Sequence, residues 1–233
     1  MDTRTARYIL ASLLALLLAA PALAVDGVIE INQARALAGG INVNDVPGFP
    51  VILNEPGSYR LTGDLSAPPG IDGIRIETDN VTLDLNGFSL SGGGGLIADG
   101  ILIGGSKNVE IRNGTVRGFS RAGIFASLGG AYARVVEVRV FSNFQGIELQ
   151  GQGSLVDHCT ATGNTTGIRV YDGGLITGSV ARANTSYGLL LAATAGYGGN
   201  VVTGNNGGDA NDQVAGGGLQ TAPNVCGTDL ICP

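Results

Sequence analysis

Short runs of alternating apolar and polar residues fill the chain from about residue 50 onward, broken by glycine and asparagine. Ile74 and Ile76 alternate with polar neighbours. Val81, Leu83 and Leu85 do the same within Asn80-Val-Thr-Leu-Asp-Leu-Asn86-Gly87. A period of two is the mark of a half-buried strand. The unit returns at Gly100-Ile101 and at Asn108-Val-Glu-Ile-Arg-Asn113-Gly114, where Val109 and Ile111 take the places of Val81 and Leu83. Asn-Gly is a turn signal because both residues accept positive φ. Later units start at Gly123, Gly146, Gly167 and Gly188. From Gly73 the successive glycines are 27, 23, 23, 21 and 21 residues apart. Each unit holds a first strand, such as Ile147 and Leu149 or Ile168 and Val170. A turn of variable length follows, then a second strand pair, such as Val135, Val138 and Val140 or Val156, Cys159 and Ala161.

An asparagine closes each later unit: Asn143, Asn164, Asn184 and Asn205. Self-similarity at this period signals a solenoid. No unit has a helical period of useful length, so consecutive strands stack in parallel as an all-β, single-stranded parallel β-helix. About six rungs at 4.8 Å give a column about 29 Å tall. Asn32 is placed to N-cap a short helix over Gln33 to Ala38, stopped by Gly39-Gly40, which caps the N-terminal end. Pro50 to Leu53 and Ser58 to Thr62 read as short strands. The expected organisation is a signal peptide over 1–24, cap and first strands over 25–72, repeats over 73–209 and a C-terminal cap over 210–233.

These repeats resemble the bacterial right-handed parallel β-helix, or pectin-lyase-like, superfamily. The likeness rests on Asn80 to Gly87, Asn108 to Gly114 and the Asn-x-x-Gly-Ile units, and covers roughly residues 50 to 225. It implies right-handed coiling, in line with the general rule for crossovers, and active sites along the first-strand face. It matches no specific enzyme family. The Asp-Asp, Gly-His-Gly and Arg-Ile-Lys motifs of polygalacturonase-like hydrolases are missing. So are the Asp-Pro-His of alginate epimerases and the lyase Arg-x-Pro-x-x-Arg.

Composition agrees with many tight turns between apolar strands: 40 Gly among 233 residues and no Trp. Arg4 and Arg7, the apolar run Ile9 to Ala20 and the small-x-small Ala22-Leu23-Ala24 form a signal-peptide pattern, cut after Ala24. The run is too short to span a bilayer. Cleavage leaves about 209 residues with 18 acidic and 11 basic side chains. That balance argues against nucleic acid or an anionic membrane as partner. The mature chain is expected to be secreted or periplasmic, without a transmembrane segment. Export permits disulfides, and Cys226 and Cys232 enclose only five residues, which makes them the natural pair.

The asparagine series reads as a ladder of amides bonding along the column. Asn80, Asn113, Asn164 and Asn184 also match the glycosylation acceptor pattern. On the first-strand face the outward positions are Arg75, Leu102, Phe125, Glu148, Arg169 and Leu190. Glu148 and Arg169 fall one rung apart, with Asp172 in the next turn, and are the catalytic candidates. They are few for a lyase, which needs several carboxylates around Ca²⁺ and a base, and for a hydrolase, which needs two facing carboxylates. His158 takes a turn corner, within a segment Val156-Asp157-His158-Cys159 that looks like a short piece of a pectate lyase. Cys159 points inward as a small buried residue. Asp209 and Asp212 lie in a solvated loop. No metal site or cofactor is implied. The leading expectation is a non-catalytic exported β-helix that presents its faces to a polysaccharide or an envelope protein, or has a structural role in the envelope. The rival is a polysaccharide lyase or glycoside hydrolase with an atypical site.

Overall fold

The computed structural model describes residues 27–228 and residue 232. The signal segment read over 1–24 lies outside them. All strand pairs are parallel, in one sheet of 8 strands and one of 15. The shorter sheet stacks the first strands in chain order: Val51–Leu53, Ile74–Ile76, Ile101–Ile103, Ala122–Ala126, Gln145–Leu149, Thr166–Val170, Leu189–Leu191 and Val214–Gly216. The longer sheet collects the remaining strand segments of each turn.

The column therefore has eight turns, not six, and stands about 38 Å tall. The two extra turns come from outside the repeats expected over 73–209: a strand already read before them and a segment read as the C-terminal cap. Val51–Leu53 pairs in register with Ile74–Ile76, and Val214–Gly216 pairs with Leu189–Leu191. A longer loop before Gln213 disguised the last repeat, because it breaks the 21-residue spacing.

Alternation dictates the core. Ile74, Ile76, Ile101, Ile103, Ile147 and Leu149 are fully buried, and their odd-numbered or even-numbered neighbours face out. Inward residues of the shorter sheet sit on other aliphatic residues one rung away, such as Ile74 on Ile101 and Ile147 on Ile168, so its interior side is a set of aliphatic stacks. Corners are made by left-handed backbone. Asn86, Asn113, Glu137, His158 and Gly178 lie at one bend of successive turns, with φ between 50° and 58°. Glu137 and His158 hold that conformation at roughly 1 kcal/mol each. Asn86-Gly87 makes the expected turn with both residues at positive φ, whereas at Asn113-Gly114 only Asn113 does. Gly114 lies inside the strand Val109–Arg117 and is needed for space, since a Cβ there would sit 2.3 Å from Leu85 Cβ.

Buried amides run along a second bend. Asn143, Asn164 and Asn184 donate from Nδ2 to Oδ1 of Asn164, Asn184 and Asn205 at 3.2, 3.1 and 2.8 Å. The same Oδ1 atoms accept backbone N–H groups of the preceding asparagines at 3.0 Å. The second Nδ2 hydrogens go to the carbonyls of Val116, Val140, Ala161 and Ala181. Phe119 N–H closes one end on Asn143, and Gln213 closes the other on Asn205. Every amide is thus satisfied, which is the condition for burying it.

A further ladder runs beside the His158 corner. Cys159 N–H donates to Ser179 Oγ at 3.1 Å, Ser179 N–H to Asn200 Oδ1 at 2.9 Å, and Asn200 N–H and Nδ2 to Asn224 Oδ1 at 2.9 Å. Cys159 is buried here, and burial pushes its thiol up to about 12. A thiolate-seeking reagent at mild alkaline pH is expected to leave Cys159 unmodified in the folded protein and to label it after denaturation. Rapid native labelling, read by intact mass, contradicts this placement. Unfolding frees the thiol to ionise near its ordinary value. The contribution of Cys159 to stability is therefore full at neutral pH and declines as pH rises from about 9 toward about 12.

The N-terminal end is chemically closed. Gln33–Ala38 forms the helix, with Asn32 Oδ1 accepting from Arg35 N–H at 3.0 Å and Gly39 ending it. Gln33 stands in for a missing strand by bonding both N–H and C=O of Ser66. Asp45 accepts the N–H of Ile52 at 2.9 Å and of Ile41 at 3.0 Å. Unpaired strand edges are thereby blunted. At the other end Cys226 is bonded to Cys232, with Cα atoms 5.2 Å apart.

Candidate functional site

The outward face of the shorter sheet brings Arg75, Leu102, Phe125, Glu148, Arg169 and Leu190 into one register column. Glu148 is nearly buried despite facing outward, because its neighbours lean over it. Its Oε1 is 3.5 Å from the Arg169 guanidinium, accepts from Gln150 Nε2 at 2.8 Å and from the Tyr171 hydroxyl at 3.4 Å. Arg169 in turn lies 4.8 Å from the Tyr171 ring centroid, within cation–π range. Burial is the main cause that raises the Tyr171 hydroxyl above its ordinary value, opposed by Arg169 and reinforced by Glu148. Tyr171 therefore stays a donor at neutral pH.

Asp172 does not join this group. Its Oδ1 accepts from Thr194 Oγ1 at 3.1 Å, and it makes no hydrogen bond or ion pair with Glu148 or Arg169 among the described residues. It instead lines an open depression of about 370 Å³ beside the strand ends, with Gln150, Gln152, Tyr132, Tyr171 and Lys107. Tyr132 and Leu128 on this wall are exposed. His158 is an exposed corner residue, its Nδ1 2.6 Å from Asp157 Oδ1. Asp209 bonds its own loop at Gly204 N–H. Among the described residues no group of three or more His, Cys, Asp or Glu is spaced to hold a metal ion.

A second ion pair on this face was not anticipated. Asp99, at 1% side-chain exposure, is bonded by Arg121 through both carboxylate oxygens and accepts Ala122 N–H at 3.1 Å. Asp99 N–H donates to Asp72 Oδ1, and Asp72 is paired with Arg75 at 2.9 Å. Burial raises the Asp99 carboxyl, against the opposing pull of Arg121. Arg121 also covers the Phe125 ring at 4.1 Å. The signal was present in the repeated Asp72-Gly73-Ile74 and Asp99-Gly100-Ile101.

A family model described as right handed beta helix region matches residues 70–207. The chain belongs to the right-handed β-helix family. No curated protein and no solved structure matches it. Membership accounts for the column and its hand, and leaves the chemistry of the face to its own residues. Those residues offer a carboxylate already bonded to a cation, two amide side chains and two tyrosines. Such a set suits hydrogen bonding and stacking more than proton transfer. On this β-helix Glu148 Oε1 is shared among three neighbours, and Asp99 lies under Arg121. No helix among the described residues is long and apolar enough to cross a membrane.

Proposed function

We propose that the protein is an exported, non-catalytic β-helix that binds a carbohydrate chain in the depression beside the ends of the shorter sheet's strands, between Tyr132 and Tyr171. The observation that carries this reading is the fixing of Glu148 Oε1 by Arg169, Gln150 and Tyr171, beside a polar and aromatic wall. Aromatic rings offer flat apolar surface to sugar faces. The amides of Gln150 and Gln152 supply both donors and acceptors for hydroxyl groups. Export is supported by the basic, apolar and small-residue pattern over residues 1–24 and by the Cys226–Cys232 pair.

The test is retention on a glycan array, followed by titration of the retained glycan against the wild type and Tyr171→Ala. The variant is expected to weaken binding about tenfold, the loss of one aromatic anchor. In parallel, the wild type is incubated with uronate polysaccharides and followed by the absorbance of unsaturated products and by reducing ends. Cleavage that disappears in Glu148→Gln would overturn the non-catalytic reading in favour of a polysaccharide lyase or hydrolase. Retention of an envelope protein with no glycan retained would replace the carbohydrate by a protein partner.

A further inference from the structure

Three Asn-Gly pairs occur in the chain: Asn86-Gly87, Asn113-Gly114 and Asn206-Gly207. This dipeptide is chemically labile in a flexible backbone. The glycine nitrogen can attack the asparagine side-chain carbonyl, because no Cβ on the following residue obstructs the approach. The structure treats the three pairs very differently.

At Asn86-Gly87 the attacking nitrogen is occupied, since Gly87 N–H donates to Asn113 O at 2.7 Å. The Asn86 amide also bonds Leu61 O at 3.1 Å. At Asn113-Gly114 the glycine is inside the strand Val109–Arg117, paired opposite Val138 and wedged against Leu85. The Asn113 amide bonds Asp84 Oδ1 at 3.2 Å. Neither pair can reach the cyclic geometry without breaking backbone bonds between neighbouring rungs.

Asn206-Gly207 lies in the loop between Val201–Thr203 and Val214–Gly216. Gly207 is exposed, and its N–H has no acceptor among the described residues. The Asn206 amide has one long bond, 3.3 Å to Asp212 O. Both residues have positive φ, 51° and 82°, much as Asn86 and Gly87 do at 51° and 79°, so what sets this pair apart is the unbonded Gly207 N–H.

We propose that Asn206 is a site of spontaneous deamidation in the folded protein. The Gly207 nitrogen forms a bond to Asn206 Cγ and gives up its proton. The Cγ–Nδ2 bond breaks and the side-chain nitrogen leaves as ammonia. Water then opens the resulting cyclic imide at either carbonyl, which yields aspartate or isoaspartate. Either product puts a new carboxylate in a loop that already holds Asp209 and Asp212. Isoaspartate also routes the main chain through the former side chain. That shift falls next to Asn205, whose amide ends the ladder on Gln213 at 3.0 Å. Asn206 N–H, which bonds Asn184 O and Ser186 O, sits on the same joint. The modified form is thus expected to loosen the last turn of the column first.

The experiment incubates the full-length protein in mildly alkaline buffer and maps its peptides by mass spectrometry, native and denatured. The expected result is acid and isoaspartate forms of the Asn206 peptide in the native sample, with the Asn86 and Asn113 peptides unchanged. All three convert once the chain is denatured. Asn206→Gln is expected to abolish the native conversion at the cost of a small drop in melting temperature, since Gln holds the positive φ at this position less readily than Asn. Equal conversion at all three native sites, or none at Asn206 while the denatured chain converts, overturns the proposal.

Discussion

Asn164→Leu is expected to destabilise the fold by on the order of 3–5 kcal/mol, because it strands several buried polar groups at once. Leucine fills a similar volume but returns no hydrogen bonds. Asn143 N–H and one hydrogen of its amide lose the Asn164 Oδ1 acceptor, and Val140 C=O loses the Asn164 Nδ2 donor. Asn164 is at 1% exposure, so water cannot replace them. For a domain of this size the melting temperature should fall by roughly 10 °C. Thermal denaturation followed by circular dichroism reads the effect. A drop of only a degree or two would show that the ladder contributes little. The mass spectrum of the wild type is expected to show bare Asn164, despite its acceptor pattern, since the side chain is enclosed and both its groups are bonded.

Gly167→Val should be more damaging still. A Cβ at this position would meet Gly188 O at 2.4 Å and Asn184 Nδ2 at 2.8 Å, before the two methyl groups are placed. The neighbours are backbone and a ladder amide, neither of which can yield without losing bonds. Overpacking alone costs about 1–3 kcal/mol, and the disrupted ladder adds to it. The variant is expected to be largely insoluble on expression or to unfold at a much lower denaturant midpoint. Gly163→Ala provides the contrast. That glycine has φ of 63° and open space around it, so alanine costs only backbone strain of roughly 1 kcal/mol. Urea denaturation of the two variants separates glycine needed for room from glycine needed for its backbone. Equal midpoints would contradict the distinction.

How far the column was legible depended on how plainly each stack repeats. The aliphatic alternation of Ile74 and Ile76, Ile101 and Ile103, and Ile147 and Leu149 identified the first strands, because each of them puts two apolar residues into the interior. The register that sets Glu148 opposite Arg169 followed from the same count. The ladder through Asn143 was visible because one residue type returns every 20 or 21 positions. The ladder through Ser179 and Asn200 was not, because its members are Cys, Ser and Asn, and backbone N–H groups do half the bonding. The rung count fell short for a related reason. Turns tolerate insertions, so a long loop before Gln213 hid a strand set that the core still accepts. The face chemistry was least legible. Tyr171 and Gln150 converge on Glu148 through side chains two residues along their strands, and Asp172 turns away to Thr194. Nothing in the spacing of single residues specifies such rotamers.

The asparagine ladder has a consequence for how such a molecule changes length over generations. Each member offers its two neighbours the same donors and acceptors, so the column holds no record of how many members it has. A duplicated or lost segment of one full period rejoins Asn to Asn with every bond restored. A single residue added inside a strand displaces an amide from its stack and turns the strand's apolar side outward, whereas one added in a turn is absorbed, as the 21- and 20-residue steps from Asn143 to Asn164 to Asn184 show. The number of rungs therefore changes by whole turns even though turn length varies, while the terminal groups, Phe119 and Gln213 on the ladder and Gln33 and Asp45 at the first edge, stay the same whatever lies between them.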